Sequence, residues 1–243
     1  MRSHAGFERK RPLLYWQYRQ KRLFNKIITQ KNEEIRHLLA EKKWLLKELH
    51  HRVKNNLHTV ICLLESQAVY LQNDALKAIE NTQRRIYAMS LIHQKSYQSE
   101  DIKTIDVDTY LPEFIQYLHD SFGNMQQIRF RLEIPPLKLN VSQAIPVALI
   151  INEALTNSFK YAFPGQRPGE IFIGMGYTDQ GIQLVIADNG IGIQVDPGAG
   201  EPNSLGLELI KGLSEDLKAK ISFDNQNGTR ITIVFNVDPL IPA

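Results

Sequence analysis

Two consecutive histidines, His50 and His51, lie in a polar stretch that reads ELHHRVKNNL over residues 48–57. A neutral imidazole is a nucleophile near neutral pH, and a neighbouring carboxylate orients it and raises its basicity. Glu48 lies three residues before His51 and Asn55 four residues after it, so on a helix the three share one face. A lone histidine on a helix is usually an uninvolved surface residue, but these neighbours make His51 a candidate nucleophile and Glu48 its candidate base.

The two histidines are expected to occupy different faces of the helix. If Leu49 and Val53 belong to the apolar side, His51 lies about 160–200° from them, at about 100° per residue. We therefore expect His51 to face solvent. His50 lies closer to the apolar side and is expected to pack against a neighbour.

A second polar group lies in NEALTNSFKY, residues 152–161. Glu153 and Asn157 are four residues apart and share one face of a helix. An amide oxygen is a suitable ligand for Mg²⁺, which binds through few protein ligands together with phosphates and water. Lys160 and Tyr161, one turn further on, are placed to meet phosphates or a ribose. The alternative is a core helix with polar edges.

A third group, DNGIG over residues 188–192, follows an apolar strand. A carboxylate such as Asp188 can accept a hydrogen bond from the exocyclic amine of adenine, although a simple turn has the same composition. Residues 194–204 (QVDPGAGEPNS) are predicted to form a mobile flap. The following residues, 204–207 (SLGL), are predicted to open a helix whose N-terminal amides suit phosphate. The chain has no GxxxxGK[ST] phosphate loop.

The first half of the chain is predicted to be a helical hairpin. No proline or glycine occurs from Leu13 to Tyr70, a turn is expected at Asn73–Asp74, and a second helix at about residues 75–97. One hairpin cannot bury both of its faces, so we expect a second copy to complete a four-helix bundle. A structural coiled coil without chemistry is the alternative.

The second half is predicted to be an α+β sandwich, one mixed sheet with helices on one face. The predicted helices cover residues 107–122, 142–163 and 205–217, with Ser142 capping the second. The predicted strands cover residues 128–134, 170–177, 181–187, 220–225 and 229–237. We place the domain boundaries at 1–22 (a basic segment, expected to include residues added by cloning), 23–100 and 101–243.

The charge distribution is uneven along the chain. Residues 1–54 contain 15 Lys/Arg and 5 Asp/Glu, and the remainder contains 14 and 21. No groove-reading motif accompanies the basic segment, so we expect no nucleic-acid partner. A solvated basic helix, or a segment beside the membrane of a longer parent protein, is the better interpretation. No run of 18 apolar residues exists, so no membrane span is expected. The single cysteine, Cys62, suits the reducing cytoplasm.

Taken in this order, the motifs resemble those of sensor histidine kinases. The match is to the subclass whose phosphoacceptor box reads H-R-x-K-N, here residues 51–55, and the resemblance covers about residues 40–237. It implies an ATP-dependent kinase that phosphorylates its own histidine and passes the phosphoryl group to an aspartate on a response-regulator receiver domain. It also implies a homodimer, ATP and Mg²⁺ as cofactors, and the Bergerat ATP-binding fold shared with gyrase, Hsp90-type chaperones and MutL proteins.

The resemblance also implies roles for individual residues. His51 matches the phosphoacceptor, and Asn55 matches an amide that serves a phosphatase reaction in some members. The implied nucleotide contacts are Glu153 and the Mg²⁺ ligand Asn157, the basic and aromatic residues Lys160 and Tyr161, the adenine-binding Asp188 with Gly190 and Gly192, Gly206 of the second glycine box, and Thr229.

The chain departs from the family pattern at several points, of which two bear on the chemistry and the subclass. The commonest members place an acid directly after the histidine, whereas this chain has Arg52, so the proton acceptor stays open. The related HWE subclass has a histidine where this chain has Asn152, and a later Trp-x-Glu motif that is missing here, since the only tryptophans are Trp16 and Trp44. The chain is therefore not a strict HWE member.

Two other functions fit parts of the pattern. A Bergerat-type ATPase that opens and closes a dimer would use a glutamate such as Glu153 to activate water. A degenerate, dimeric scaffold would bind nucleotide and transfer nothing.

Overall fold

The structure is a computed structural model of the 243-residue chain. It describes residues 5–98, 104–122, 127–192 and 205–237, so the predicted flap over residues 194–204 lies outside the described residues. The chain divides into two compact units, Met1–Leu49 and His50–Ala243. Within the described ranges, no helix has the length and apolar character needed to cross a bilayer. The predicted domain boundaries stay predictions.

The elements follow one another in a simple order. They are α1 (Ala5–Ala68), α2 (Asn73–Gln98), β1 (Thr104–Asp106), α3 (Val107–Ser121), β2 (Ile128–Glu133), β3 (Lys138–Asn140), α4 (Val141–Asn157), β4 (Gly169–Thr178), β5 (Gly181–Asp188), α5 (Leu205–Asp216), β6 (Lys220–Asp224) and β7 (Arg230–Phe235). A helical region followed by an α/β sheet domain is the predicted architecture, which is thereby confirmed.

The described part of the first unit is a single helix. It begins at Ala5. Many of its apolar side chains from Tyr15 onward are exposed within one chain, among them Tyr15, Trp16, Tyr18, Phe24, Ile27, Ile35, Leu38 and Trp44. A long helix with so much exposed apolar surface requires a partner surface.

Helices α1 and α2 are connected by a short turn that ends at Asn73. Asn73 has a φ of 56°, a left-handed conformation that asparagine tolerates better than most residues. This tight reversal produces the predicted hairpin.

A five-stranded mixed sheet forms the centre of the second unit. The strand order is β2-β4-β5-β7-β6, with β2 and β4 parallel and the other neighbours antiparallel. Burial alternates along β5, where Ile182, Leu184 and Ile186 are buried and the intervening residues are only half-buried. Helices α3, α4 and α5 contribute to the same core as this buried face. The end of β5 therefore lies at the edge of a rigid core, which positions Asp188.

Three local features differ from the predictions. Strands β1 and β3, of three residues each, pair antiparallel and were not predicted, because such short segments show no alternation. Asn140, and not Ser142, caps α4: its side chain accepts a hydrogen bond from the Gln143 N–H, and the Ser142 hydroxyl donates to the same oxygen. The α-helix ends at Asn157 and continues as a π-helical turn over Ser158–Ala162, short of the predicted end at Phe163.

Candidate functional site

The Asp188 carboxylate lies at the centre of a network of hydrogen bonds at the end of β5. One oxygen, Oδ1, accepts from the N–H of Gly190 at 2.9 Å and from the N–H of Thr229 at 3.1 Å. The other, Oδ2, accepts from the Ser158 hydroxyl at 2.7 Å. The residue is only 6% exposed. The structure thus brings together three residues that the sequence placed in one site, and adds Ser158.

Ser158 is a site residue that the sequence reasoning missed. It follows Asn157 directly in the chain, and its burial could have been anticipated from the apolar residues around it. Gly228 was also missed. Its φ of 90° and its close approach to the Asp188 carbonyl leave no room for a side chain there. This close approach lets the turn that leads into β7 pass next to Asp188.

The predicted glycines Gly190 and Gly192 hold the loop after β5 close to the core. A Cβ at Gly190 would overlap Ala162, whose carbonyl accepts a hydrogen bond from the Ile191 N–H at 3.0 Å. Gly192 is buried with a φ of 75°, which favours glycine. The loop is therefore fixed against the end of the π-helical turn.

Glu153 and Asn157, near the C-terminal end of α4, lie close to Gly206 of α5. Gly206 lies at the start of α5, and a Cβ placed on it would be 3.4 Å from the amide atoms of Asn157 and 3.4 Å from Glu153 Oε2. The backbone of α5 therefore begins directly over these two polar side chains. The Asp188 network forms one end of an elongated site along α4. The group of Glu153, Asn157 and Gly206 forms the other end.

Arg85 of α2 binds the Glu153 carboxylate, a contact that no sequence pattern indicated. The guanidinium donates from Nε to Oε1 at 2.8 Å and from Nη2 to Oε2 at 2.9 Å, and this pairing raises the pKa of Arg85. Glu153 is 2% exposed. The Asn152 side chain also donates to Oε1, at 2.9 Å.

Lys160 and Tyr161 lie on the π-helical turn and are both exposed. Partial burial, and then the neighbouring Arg84, lower the pKa of Lys160. Coulombic interactions with Glu153, Lys77 and Arg85 place this lysine near the Glu153 end of the site. The contacts of Lys160 and Tyr161 with a nucleotide stay predictions.

The residues at the Glu153 end suit a magnesium ion. An amide oxygen and a carboxylate are hard oxygen donors of the kind that Mg²⁺ prefers. The described residues contain no group of three or more His, Cys, Asp and Glu side chains able to hold a metal. Mg²⁺ takes one or two protein ligands and completes its shell with phosphates and water.

On α1, the two histidines differ in exposure. His51 and Asn55 are exposed, and His50 is half-buried, in line with the geometry expected from the helix. Glu48 lies in the same helix and is half-buried. The roles of His51, Glu48 and Asn55 stay predictions.

His50 contacts a histidine on the other helix of the hairpin. Its Nδ1 lies 3.1 Å from Nδ1 of His93, so one ring donates and the other accepts a hydrogen bond. Burial lowers the pKa of His50 below its ordinary value of 6.5. Burial, and then the neighbouring His50, lower the pKa of His93 as well. The pair is therefore stable with both imidazoles neutral, or with one additional proton that gives the pair a single positive charge.

We expect the second unit to lose stability as the pH falls below about 6.5, the ordinary histidine value. The unfolded chain binds protons at these histidines at a higher pH than the folded chain does. The free energy of unfolding therefore rises with pH through the window below that value, and the contribution of the pair is complete above it. Urea unfolding at a series of pH values measures this dependence. His93→Gln should flatten it and His58→Gln, an exposed histidine of α1, should not; equal slopes for wild type and His93→Gln would contradict the expectation.

An α/β sandwich with a buried aspartate at one strand end and a carboxylate–amide pair under a helix start is the arrangement expected of a histidine kinase-like ATPase domain. A family model described as "Histidine kinase" matches residues 48–122, and one described as "Histidine kinase-like ATPase domain" matches residues 133–235. Between them the two models cover most of the chain, and the chain belongs to the histidine kinases.

Individual relatives agree with this assignment. The sensor histidine kinase PdtaS of Mycobacterium tuberculosis is 27% identical over 177 residues, which are 72% of this chain and 35% of that protein. The blue-light-activated histidine kinase 2 of Erythrobacter litoralis is 24% identical over 202 residues, covering 79% of this chain and 56% of that protein. The chain therefore spans about a third of the length of PdtaS.

A solved structure shares the fold. The histidine kinase domain of the Erythrobacter litoralis EL346 blue-light activated histidine kinase superposes with a TM-score of 0.57 at 19% sequence identity. The match covers 72% of this chain and 94% of that one.

Proposed function

We propose that this chain is the autophosphorylating core of a two-component signalling protein. In this proposal it binds ATP in the Asp188 site, transfers the γ-phosphoryl group to His51, and passes it to an aspartate of a response-regulator receiver domain. The cytoplasm is the proposed location, and the parent protein is proposed to carry the sensor and a membrane attachment.

The observation that carries the proposal is the hydrogen bonding of Asp188. A carboxylate offers about four acceptor positions, and donors from the described residues fill three of them. The remaining position suits the exocyclic amine of adenine, which guanine lacks at the equivalent atom. Burial of the carboxylate makes that hydrogen bond strong, because the competing water is excluded.

The proposed chemistry is an in-line displacement at phosphorus. A nitrogen of the His51 imidazole forms the new P–N bond while the bond from the γ-phosphorus to the β,γ-bridging oxygen breaks and ADP leaves. The imidazole proton goes to a base, for which Glu48 is the candidate. Asn157 and Glu153 would hold Mg²⁺, which supplies neutralisation of the phosphate charge when bound. Asn55 is a candidate to position water for the reverse, phosphatase reaction.

The arrangement of Glu153 distinguishes this proposal from a water-activating ATPase. Both of its oxygens accept hydrogen bonds from Arg85, and one also accepts from Asn152. While this pairing holds, the lone pairs of the carboxylate are occupied by N–H donors. A metal ion bound to Glu153 would occupy them instead, so in neither state is the carboxylate available to take a proton from water. This favours phosphoryl transfer to a side chain over hydrolysis.

Incubation with ATP labelled at the γ-phosphate tests the proposal. An acid-labile, base-stable phosphoprotein is the expected product. Steady release of phosphate with no labelled protein would instead support the dimer-gating ATPase, and nucleotide binding with neither outcome would support a scaffold. Profiling the labelled protein against purified receiver domains then identifies the partner, and failure to label any receiver would leave autophosphorylation alone.

We expect the chain to form a homodimer through about residues 20–98. The exposed apolar side chains of α1 need a partner surface, and a second hairpin provides one in a four-helix bundle. Light scattering at micromolar concentration should report a dimer. A monomer under these conditions would contradict the expectation.

A further inference from the structure

Arg85 is the cation that balances the negative charge of Glu153 inside the proposed nucleotide site. The Glu153 side chain is 3% exposed and the Arg85 side chain 26%. A carboxylate taken out of water is costly unless a cation and hydrogen bonds replace its hydration. The two N–H donors of Arg85 meet this need, and they come from α2 of the helical hairpin, 68 residues away along the chain.

A second contact joins the same two helices. The Asn152 side chain, which is fully buried, donates both to Glu153 and, at 3.4 Å, to the Asn81 side-chain oxygen of α2. Asn81 and Arg85 are four residues apart and thus lie on one face of α2. This face of α2 is therefore docked on α4 through polar contacts centred on Glu153.

The docked face meets α4 where the proposed metal ligands lie. Glu153 Oε2 faces Gly206 together with the Asn157 amide. The same oxygen accepts from Arg85 Nη2, while Oε1 accepts from both Arg85 and Asn152. A cation that used Glu153 as a ligand would repel the guanidinium and compete for these lone pairs.

We propose that Arg85 is a positioning residue that holds Glu153 while the site lacks metal, and that its pairing with Glu153 competes with binding of a Mg²⁺–nucleotide complex. This inference rests on the proposed function only in requiring that the site binds such a complex. Because coupling is reciprocal, binding of the complex loosens α2 from α4, and a docked α2 weakens binding. The contact makes the helical hairpin responsive to the nucleotide state of the second half of the chain.

The affinity for Mg²⁺–AMP-PNP, a non-hydrolysable ATP analogue, tests the competition by titration calorimetry. Arg85→Gln should bind the complex more tightly than wild type by about tenfold, within the usual range of coupling between sites. In EDTA the same variant should bind AMP-PNP no more tightly than wild type, because no metal then competes for Glu153. Arg85→Lys keeps the charge without the paired geometry and should be intermediate. Arg129→Gln, an exposed arginine on β2, is the matched control and should match wild type.

A measurement on the wild type keeps the test valid if Arg85→Gln does not fold. Addition of Mg²⁺–AMP-PNP should accelerate amide hydrogen exchange over residues 81–92 of α2. Slower exchange there, or an Arg85→Gln affinity equal to or below that of wild type in Mg²⁺, would overturn the inference. Failure of the wild type to bind the analogue at all would instead refute the proposed function, so the two failures are distinguishable.

Discussion

Replacing His51 with glutamine is expected to abolish formation of the labelled phosphoprotein, by about a hundredfold or more, as for removal of a nucleophile. Glutamine is similar in size and polarity but has no nucleophilic ring nitrogen. His51 is exposed, so the substitution disturbs no buried contact and should leave the fold intact. The measurement is retention of γ-label after alkaline treatment, with thermal unfolding as a check on folding.

His50→Gln is the matched control, because it changes the adjacent histidine of the same helix. His50 is half-buried against His93 and is expected to have a structural role. The variant should retain most of the label and lose some stability. If His50→Gln loses the label and His51→Gln keeps it, the assignment from helical geometry is wrong.

Replacing Asp188 with asparagine is expected to weaken ATP binding by about tenfold to a hundredfold, the range for hydrogen bonds to a charged group. The amide NH₂ would replace one oxygen and would then face either the two backbone N–H groups or Ser158. Facing the two N–H groups would oppose donor to donor, and facing Ser158 would direct the NH₂ donor at the position proposed for the adenine amine, itself a donor. Neither orientation keeps the negative charge. Titration calorimetry with AMP-PNP measures the loss.

Asp179→Asn provides the comparison for this variant. Asp179 is an exposed aspartate in the turn between β4 and β5, at the opposite end of β5 from Asp188, so the same chemical change there should leave the affinity unaltered. Equal affinity in wild type and Asp188→Asn would remove Asp188 from the adenine site. Because Asp188 is buried, unfolding must be measured alongside binding, and affinity compared only between folded proteins.

The course of the secondary structure could be predicted from the sequence because most elements carry a strong local pattern. Alternating apolar residues along β5 and the long interval without helix breakers in α1 are of this kind. The cap of α4 could not be assigned in the same way, since Asn140 and Ser142 are both good capping residues two positions apart. The choice depends on β3, which extends to Asn140 and is too short to recognise from its sequence.

Within the site, the role of a single residue was easier to anticipate from the sequence than a contact between two residues that are distant along the chain. Asp188 and Asn157 could be proposed from the sequence because a carboxylate at a strand end and an amide on a helix suggest their own ligands. Arg85 was missed because its partner lies 68 residues away, and nothing local to α2 distinguishes it from Arg84. Long-range pairs of this kind are determined by the packing of α2 on α4, which periodicity alone does not predict.

The network around Asp188 joins three separate segments, the end of β5, the start of β7 and the turn after α4. Loss of this carboxylate would leave buried donors without acceptors, which destabilises a protein whether or not it binds nucleotide. Selection for stability would thus retain Asp188 even in homologues that have lost catalytic activity. For judging whether a divergent homologue is still active, His51 is consequently a more informative position than the aspartate, since its side chain is exposed and the aspartate's is buried.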